Sequence, residues 1–287
     1  MTVARNFQLT ALKAAFRLPA FSVALHQALW LCTAQDSVSI KDLVRVVERD
    51  VVMTGSLISL ANSAFYGRRD PIVGLRHAIV RLGIRKTRNV ILSLSIARST
   101  SKIVLPPAWS SRRFNSHSLA SALLSDLLVQ NARVRDGEWA FVTGLLHDIG
   151  LLLIGAGLPE HFDAIAAHSG SETQIIEYER ELLGFTHFEV GAEFLKHWNY
   201  PAAVQNAVRE CPSFPLQYEY PFPLAAVANA ATRLADAFGI AILGFGEDET
   251  LIPAVMQTFK ISEAEKFRAV FESDYRTFQD SAAPVLT

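Results

Sequence analysis

Four side chains in this sequence have the types and the order of a metal centre: His117, His147, Asp148 and His187. Imidazole nitrogens and a carboxylate suit divalent transition metals such as Fe, Mn or Zn. The dyad stands in Gly144-Leu145-Leu146-His147-Asp148-Ile149-Gly150, between an apolar run and a glycine. Adjacent helical residues point about 100° apart, so both can touch one ion only if it lies between their directions. Taken alone, His-Asp equally fits a helix C-terminus with a hydrogen-bonded histidine and a capping aspartate. His117, thirty residues before the dyad, and His187, forty after, each sit at or near the start of a predicted helix. A helical bundle can bring them together over His147-Asp148, with Glu210 or Cys211 as further donors.

A second cluster is basic. Arg68, Arg69, Arg76, Arg81, Arg85, Lys86 and Arg88 crowd one stretch of chain, with Asp70 the one acid among them. Arg81, Arg85 and Arg88 fall at i, i+4 and i+7, one helix face if the helix runs through Gly83. Such a face suits phosphate on a nucleotide, a nucleic acid or an acidic partner. It also fits a solvated surface balanced by acids such as Glu177, Glu179 and Glu181. No aromatic platform interleaves the arginines. Ser39–Leu60 has a helix-turn-helix look, but its second helix, Thr54–Ala61, carries no charge to read bases. Nucleic acid is therefore not the expected partner.

The elements that must position these residues are helical. Ser39 and Asp42 form a capping pattern before Leu43, Val46 and Val47, and Thr186 and Glu189 form another that opens a helix to Trp198. Apolar spacing predicts helices at Leu9–Phe16, Val23–Trp30, Thr54–Ala61, Leu75–Leu82, Arg85–Arg98, Ser116–Gln130, Gly137–Ile149, Pro159–His168, Gln174–Leu183, Leu224–Phe238 and Ser262–Phe278, the last with Ser262 and Glu265 as its cap pair. Asn62 to Gly67 reads as a glycine stop. Ile240–Phe245 is the one β-compatible run, too little for a sheet. Pro106-Pro107 cannot continue a helix and marks the clearest boundary. The expectation is an all-α fold of two helical lobes, residues 1–105 and 106–287.

Length and composition agree. The 287 residues are half apolar and 19% charged, enough for a sizeable core and against intrinsic disorder. Net charge is −1, from 27 basic and 28 acidic residues, so only a local patch could draw a polyanion. Cys32 and Cys211 form no CxxC and fit a reducing compartment. No apolar run approaches the roughly 20 residues of a membrane span. Met1–Phe7 lacks the pattern of a secretory signal. The expected location is cytoplasmic, with no membrane partner.

The order His, His-Asp, His resembles the HD superfamily of metal-dependent phosphohydrolases. The surrounding text is more specific. Asp50-Val51-Val52-Met53-Thr54, then Leu60-Ala61-Asn62-Ser63-Ala64-Phe65-Tyr66-Gly67, resembles the opening signature of the HDOD family, the HD-related output domains. So do Ile72 to Gly83, Glu181 to Gly191 and Trp198-Asn199-Tyr200-Pro201. The resemblance covers roughly residues 10–275 as one continuous unit. It implies an all-helical HD-type fold and a bacterial signalling output role tied to two-component or cyclic-dinucleotide circuits.

The sequence departs from the catalytic members of the superfamily. Glu210-Cys211 stands where HD-GYP phosphodiesterases, by this resemblance, carry a His-His pair, Leu151 where a lysine is common, and Asn229 where an aspartate closes the site. Asp236 lies two turns beyond Asn229, too far to replace it as a ligand. A two-metal hydrolase needs more anionic ligands than Asp148. The expectation is a non-catalytic signalling module that binds a protein or ligand partner, with either no cofactor or one divalent ion on His117, His147, Asp148 and His187. The alternatives are a metal-dependent phosphodiesterase acting on a nucleotide or cyclic dinucleotide, and nucleotide or nucleic-acid binding through Arg81, Arg85 and Arg88.

Overall fold

The computed structural model describes residues 38–62, 71–101, 103–168, 172–213, 220–243 and 249–286. The helices expected at Leu9–Phe16 and Val23–Trp30, the stretch Ser63–Asp70, and Cys32 lie outside these residues. The order is α1 (Ile40–Val47), α2 (Val51–Ala61), α3 (Leu75–Thr100), α4 (Ser111–Asn131), α5 (Ala140–Leu146), α6 (Ile149–Gly157), α7 (Pro159–Ala167), α8 (Glu172–Leu183), α9 (His187–His197), α10 (Ala202–Glu210), α11 (Leu224–Ala237), α12 (Leu251–Thr258) and α13 (Ala264–Leu286). The fold is all-α. Extended pairing among the described residues is limited to an isolated bridge between Val134 and Phe222.

Contacts divide the described residues into two compact units, 103–268 and 38–101 with 269–286. Residues from Ala269 onward fall in the same unit as 38–101.

In that unit, the expected cap of the opening helix forms. The Ser39 hydroxyl accepts from the Asp42 N–H while Asp42 accepts from the Ser39 N–H. Asp50 caps α2 by accepting from the Met53 N–H, and the same carboxylate pairs with both terminal nitrogens of Arg98 on α3. Asn62 ends α2, accepting from the Ile72 N–H at 2.8 Å and donating to the Ile72 carbonyl at 2.7 Å. Gly83 leaves the helical region inside α3 with φ 79° and ψ 162°, a conformation that favours glycine. Leu43, Val47, Leu57, Ala78, Ile79, Ile91, Phe271 and Phe278 form the interior. Lys86 pairs with Asp274 at 3.0 Å and lies over the Phe278 ring.

In the other unit, α4 packs along α5 and α11, and α9 packs on α6 and α10. Phe114, Phe162, Phe188, Phe194, Phe222 and Phe259 are fully buried. Trp109 lies against Phe114 and Phe162. The stretch Gly137–Gly157 is long and apolar enough to cross a membrane, but 89% of its most apolar window is buried inside the protein. It is also not one helix. The expected continuous Gly137–Ile149 helix is a 3₁₀ turn followed by α5, and His147-Asp148 forms the joint before α6. The last helix opens at Ala264, which leaves Ser262 outside it.

Candidate metal centre

Each histidine is presented by a different device. His117 lies on the face of α4 turned toward α5 and α11 and is 2% exposed. His147 follows the last residue of α5 and is wholly buried. His187 is the first residue of α9. A capping box fixes it there, with the Thr186 N–H donating to Glu189 at 3.0 Å and the Glu189 N–H donating back to the Thr186 hydroxyl at 3.2 Å. The joint at Asp148 needs Gly150, because a Cβ there would overlap the His187 carbonyl oxygen. Only glycine lets α6 and the start of α9 approach this closely.

The Nε2 atoms converge. His147 Nε2 lies 3.1 Å and His117 Nε2 lies 3.4 Å from Asp148 Oδ2, and His187 Nε2 lies 3.5 Å from Asp148 Oδ1. The first three residues form the tightest group, with donor atoms all within 4.8 Å of one another. His187 stands across the other carboxylate oxygen. All four sequence-predicted residues therefore meet, and the joint solves the problem of directing two neighbouring side chains at one point.

The Nδ1 atoms face outward, and each has an acceptor. His117 Nδ1–H donates to the Ile240 carbonyl at 2.6 Å, and His147 Nδ1–H to the Gly144 carbonyl at 2.7 Å. His187 Nδ1–H donates to Glu179 at 2.8 Å, and the His187 backbone N–H donates to the same carboxylate at 3.0 Å. Outer partners of this kind fix the tautomer and leave Nε2 as the free ligand atom. Glu179 is fully buried, whereas the sequence reading counted it among solvated acids. The missed signal is its place between buried Ile175 and Leu183, four residues to each side on α8.

Charge follows from this packing. Burial, with the neighbouring His147 charge, pushes His117 down to about 4 despite Asp148. Burial also opposes protonation of His187, but Glu179 and Asp148 together raise it to about 10. His147 is raised against burial by the Asp148 charge and hydrogen bond. The imidazoles in turn hold Asp148 well below its ordinary value in spite of its burial. Asp236 on α11 reaches the outer side of His117, with Oδ1 at 3.5 Å from Nδ1. Burial, helped by Glu172 and Asp148, lifts Asp236 to about 8. It touches the centre from behind rather than standing in for the residue at 229.

Three imidazoles and one carboxylate suit a single Fe, Mn or Zn ion. Two further observations fit that donor set. The outward nitrogens are all anchored, and Asn229 keeps a buried Oδ1 with no hydrogen-bond partner. The extra donors considered from sequence do not join. Glu210 is exposed. Burial and the charges of Glu172 and Asp148 keep the Cys211 thiol protonated, well above its ordinary value.

The basic cluster lies in the other unit and is not one continuous face, because Gly83 interrupts the helix between Arg81 and Arg85. Arg81 donates to the Ala61 carbonyl at 3.3 Å. Arg85 is exposed and Arg88 is half-buried.

Residues 18–213 match the HDOD domain family. A protein of Treponema pallidum (strain Nichols), described only as uncharacterized, is 24% identical over 254 residues, 84% of this chain and 46% of the relative. The chain thus spans about half the length of that curated relative. The solved structure of a candidate phosphohydrolase from Shewanella amazonensis SB2B has a TM-score of 0.69 at 21% identity, covering 96% of this chain and 98% of its own. That of a candidate signal transduction protein from Marinobacter aquaeolei VT8 has a TM-score of 0.67 at 21% identity, covering 99% of this chain and 65% of its own. At these identities the likeness is one of fold.

Proposed function

From the premise that this chain belongs to the HDOD family, we propose that it is a bacterial signal-transduction output module, organised around a single divalent metal ion, that acts by binding rather than by turnover. His117, His147, Asp148 and His187 hold the ion, and Fe, Mn and Zn are the metals this donor set suits. The partner is a signalling protein of a two-component or cyclic-dinucleotide pathway. The observation that carries the reading is the convergence of three outward-anchored imidazoles on one carboxylate. Asp148 is the single carboxylate in that ligand group, and the neutral Asn229 stands where the family resemblance places the closing aspartate. A two-metal hydrolytic site needs ligands for ions about 3.5–4 Å apart, and this donor set supplies one ion's worth.

The deciding experiment is elemental analysis of protein purified without added metal or chelator, with His147→Ala as control. The expected result is about one equivalent of a transition metal, lost in the variant. No metal in either protein overturns the single-ion reading. Metal-dependent cleavage of a phosphodiester, abolished in Asp148→Ala, overturns the non-catalytic reading and favours the phosphohydrolase named for the Shewanella relative.

A further inference from the structure

The part of α3 before Gly83 turns Ala78, Ile79 and Leu82 inward and leaves Arg76, His77 and Val80 exposed. Arg76 and Val80 are four apart and His77 and Val80 three apart, so the three share one face. Val73, two residues before the helix, is 88% exposed, and Val80 is 59% exposed. A single exposed valine is ordinary. Here two of them bracket a cation. The charge of the face is not balanced along its own helix. From Pro71 to Ser101 the chain contains no aspartate or glutamate. The acids that pair with α3 do so beyond Gly83, Asp274 with Lys86 and Asp50 with Arg98. Arg76 has no ion pair among the described residues. Arg81, Arg85 and Arg88 have interactions of their own, and the face does not depend on them.

A patch of this composition selects its partner on two counts. The guanidinium calls for a carboxylate, which it meets bidentately, and His77 adds polar contact beside it. The valines call for apolar side chains on either side of that carboxylate. A nucleic acid would use the cation and leave the valines in water, and the face holds no aromatic ring for a base to stack on. A second copy of this chain, docked about a two-fold axis, would set Arg76 against Arg76. The shape that packs on a helix face is the ridge of another helix. Two turns of α3 are about 12 Å long, which makes a small interface of the transient kind.

We propose that Val73, Arg76, His77 and Val80 form a docking surface for an acidic amphipathic helix of a signalling partner, its carboxylates on Arg76 and its apolar side chains on the two valines. The inference rests on the reading of this chain as a binding module and adds the surface it uses and the chemistry of what it binds.

The test is fluorescence anisotropy of the full chain with a labelled helical peptide of about 20 residues. The probe is built of Leu, Glu and Ala, with Leu at i, i+3, i+4 and i+7 and Glu along the flanks; its control carries Lys in place of every Glu. The Glu peptide is expected to bind and the Lys peptide not. Arg76→Glu should weaken binding about tenfold or more, and the double variant Val73→Ser/Val80→Ser about threefold or more. Val51→Ser, at an exposed valine of α2 off this face, should leave it unchanged. Metal content and melting temperature should stay the same in all of them, because these side chains are exposed. Absence of Glu-peptide binding, equal binding of the Lys peptide, or an affinity that ignores Arg76→Glu and the double variant overturns the proposal. So does a loss in Val51→Ser as large as in the double variant. Displacement of the peptide by single-stranded DNA of similar length at lower concentration reassigns the face to a polyanion. A wild-type dimer in sedimentation that the double variant dissociates reassigns it to a second copy. Metal-dependent phosphodiester cleavage, with peptide binding that still depends on Arg76, defeats the non-catalytic reading and leaves this face standing. No cleavage and no peptide binding defeats the face alone.

Discussion

The two units of this protein differ in the kind of polar group they bury. In residues 103–268 the exceptions are polar groups inside: His117, His147, Asp148, Glu179, His187 and Asn229 are all buried. In the other unit the buried polar groups are mostly neutral, Ser56, Thr87, Asn89, Ser95 and Thr100, and Asp274, paired with Lys86, is the one buried ionisable group among its described residues. Burying ionisable groups is costly unless they are paired, so the first pattern persists only where the groups satisfy one another or a ligand. Exposed valines do not separate the units: Val51 and Val73 lie in one, and Val104, 92% exposed, lies in the other.

The contrast breaks most readily at Glu179. Glu179→Ala leaves the His187 ring and backbone N–H without an acceptor inside the unit and should cost about 3–5 kcal/mol in chemical denaturation, with loss of bound metal by elemental analysis. If stability changes by less than about 1 kcal/mol, the buried pair does not organise the unit. Gly150→Ala comes next. The new methyl group must push α6 away from the His187 carbonyl, at about 1–3 kcal/mol and reduced metal content.

On the other side the expected effects are smaller. Asn62→Ala removes both bonds to Ile72 and should cost about 1–2 kcal/mol, with metal content untouched. Asp50 yields a pH signature. Its hydrogen bonds to Arg98, against some desolvation, hold its carboxyl below the ordinary 3.8. A depressed native pKa stabilises the fold above the unfolded value, and that contribution fades as pH falls through the native value. Asparagine keeps the cap, so wild type should exceed Asp50→Asn by less than about 1 kcal/mol at neutral pH. The gap should close below about pH 4, and a gap that widens in acid contradicts the pairing. Val73→Ser should shift stability by no more than about 0.5 kcal/mol. A larger loss would mean that this side chain is not free surface.

Much of this arrangement is legible in the sequence, for identifiable reasons. Ser39-x-x-Asp42 and Thr186-x-x-Glu189 both form capping boxes, because that pattern satisfies orphan N–H groups within a single turn. Gly83 breaks its helix as its residue type suggests. The order of His117, His147-Asp148 and His187 points to side chains that do converge, because few residue types suit a metal ion. What is not legible depends on neighbours distant in sequence. Glu179 looks like one acid in a charged run, and only the docking of α8 turns it inward. The joint at His147-Asp148 replaces a continuous apolar helix, since α6 must redirect to meet α9. Ile240 and Gly144 serve through backbone carbonyls, which no side-chain motif records.

The outward anchors also differ in how much chain each must close. His187 finds Glu179 eight positions away, His147 finds Gly144 three away, and His117 finds Ile240 across 123. Closing the longest of these loops costs about 2 kcal/mol more entropy than closing the eight-residue one, at about 0.6 kcal/mol per doubling. The first two can form while the chain is still growing. The third waits until residue 240 has left the ribosome. Until then His117 lacks the acceptor that fixes its tautomer, so the three imidazoles are all anchored only once residue 240 has emerged.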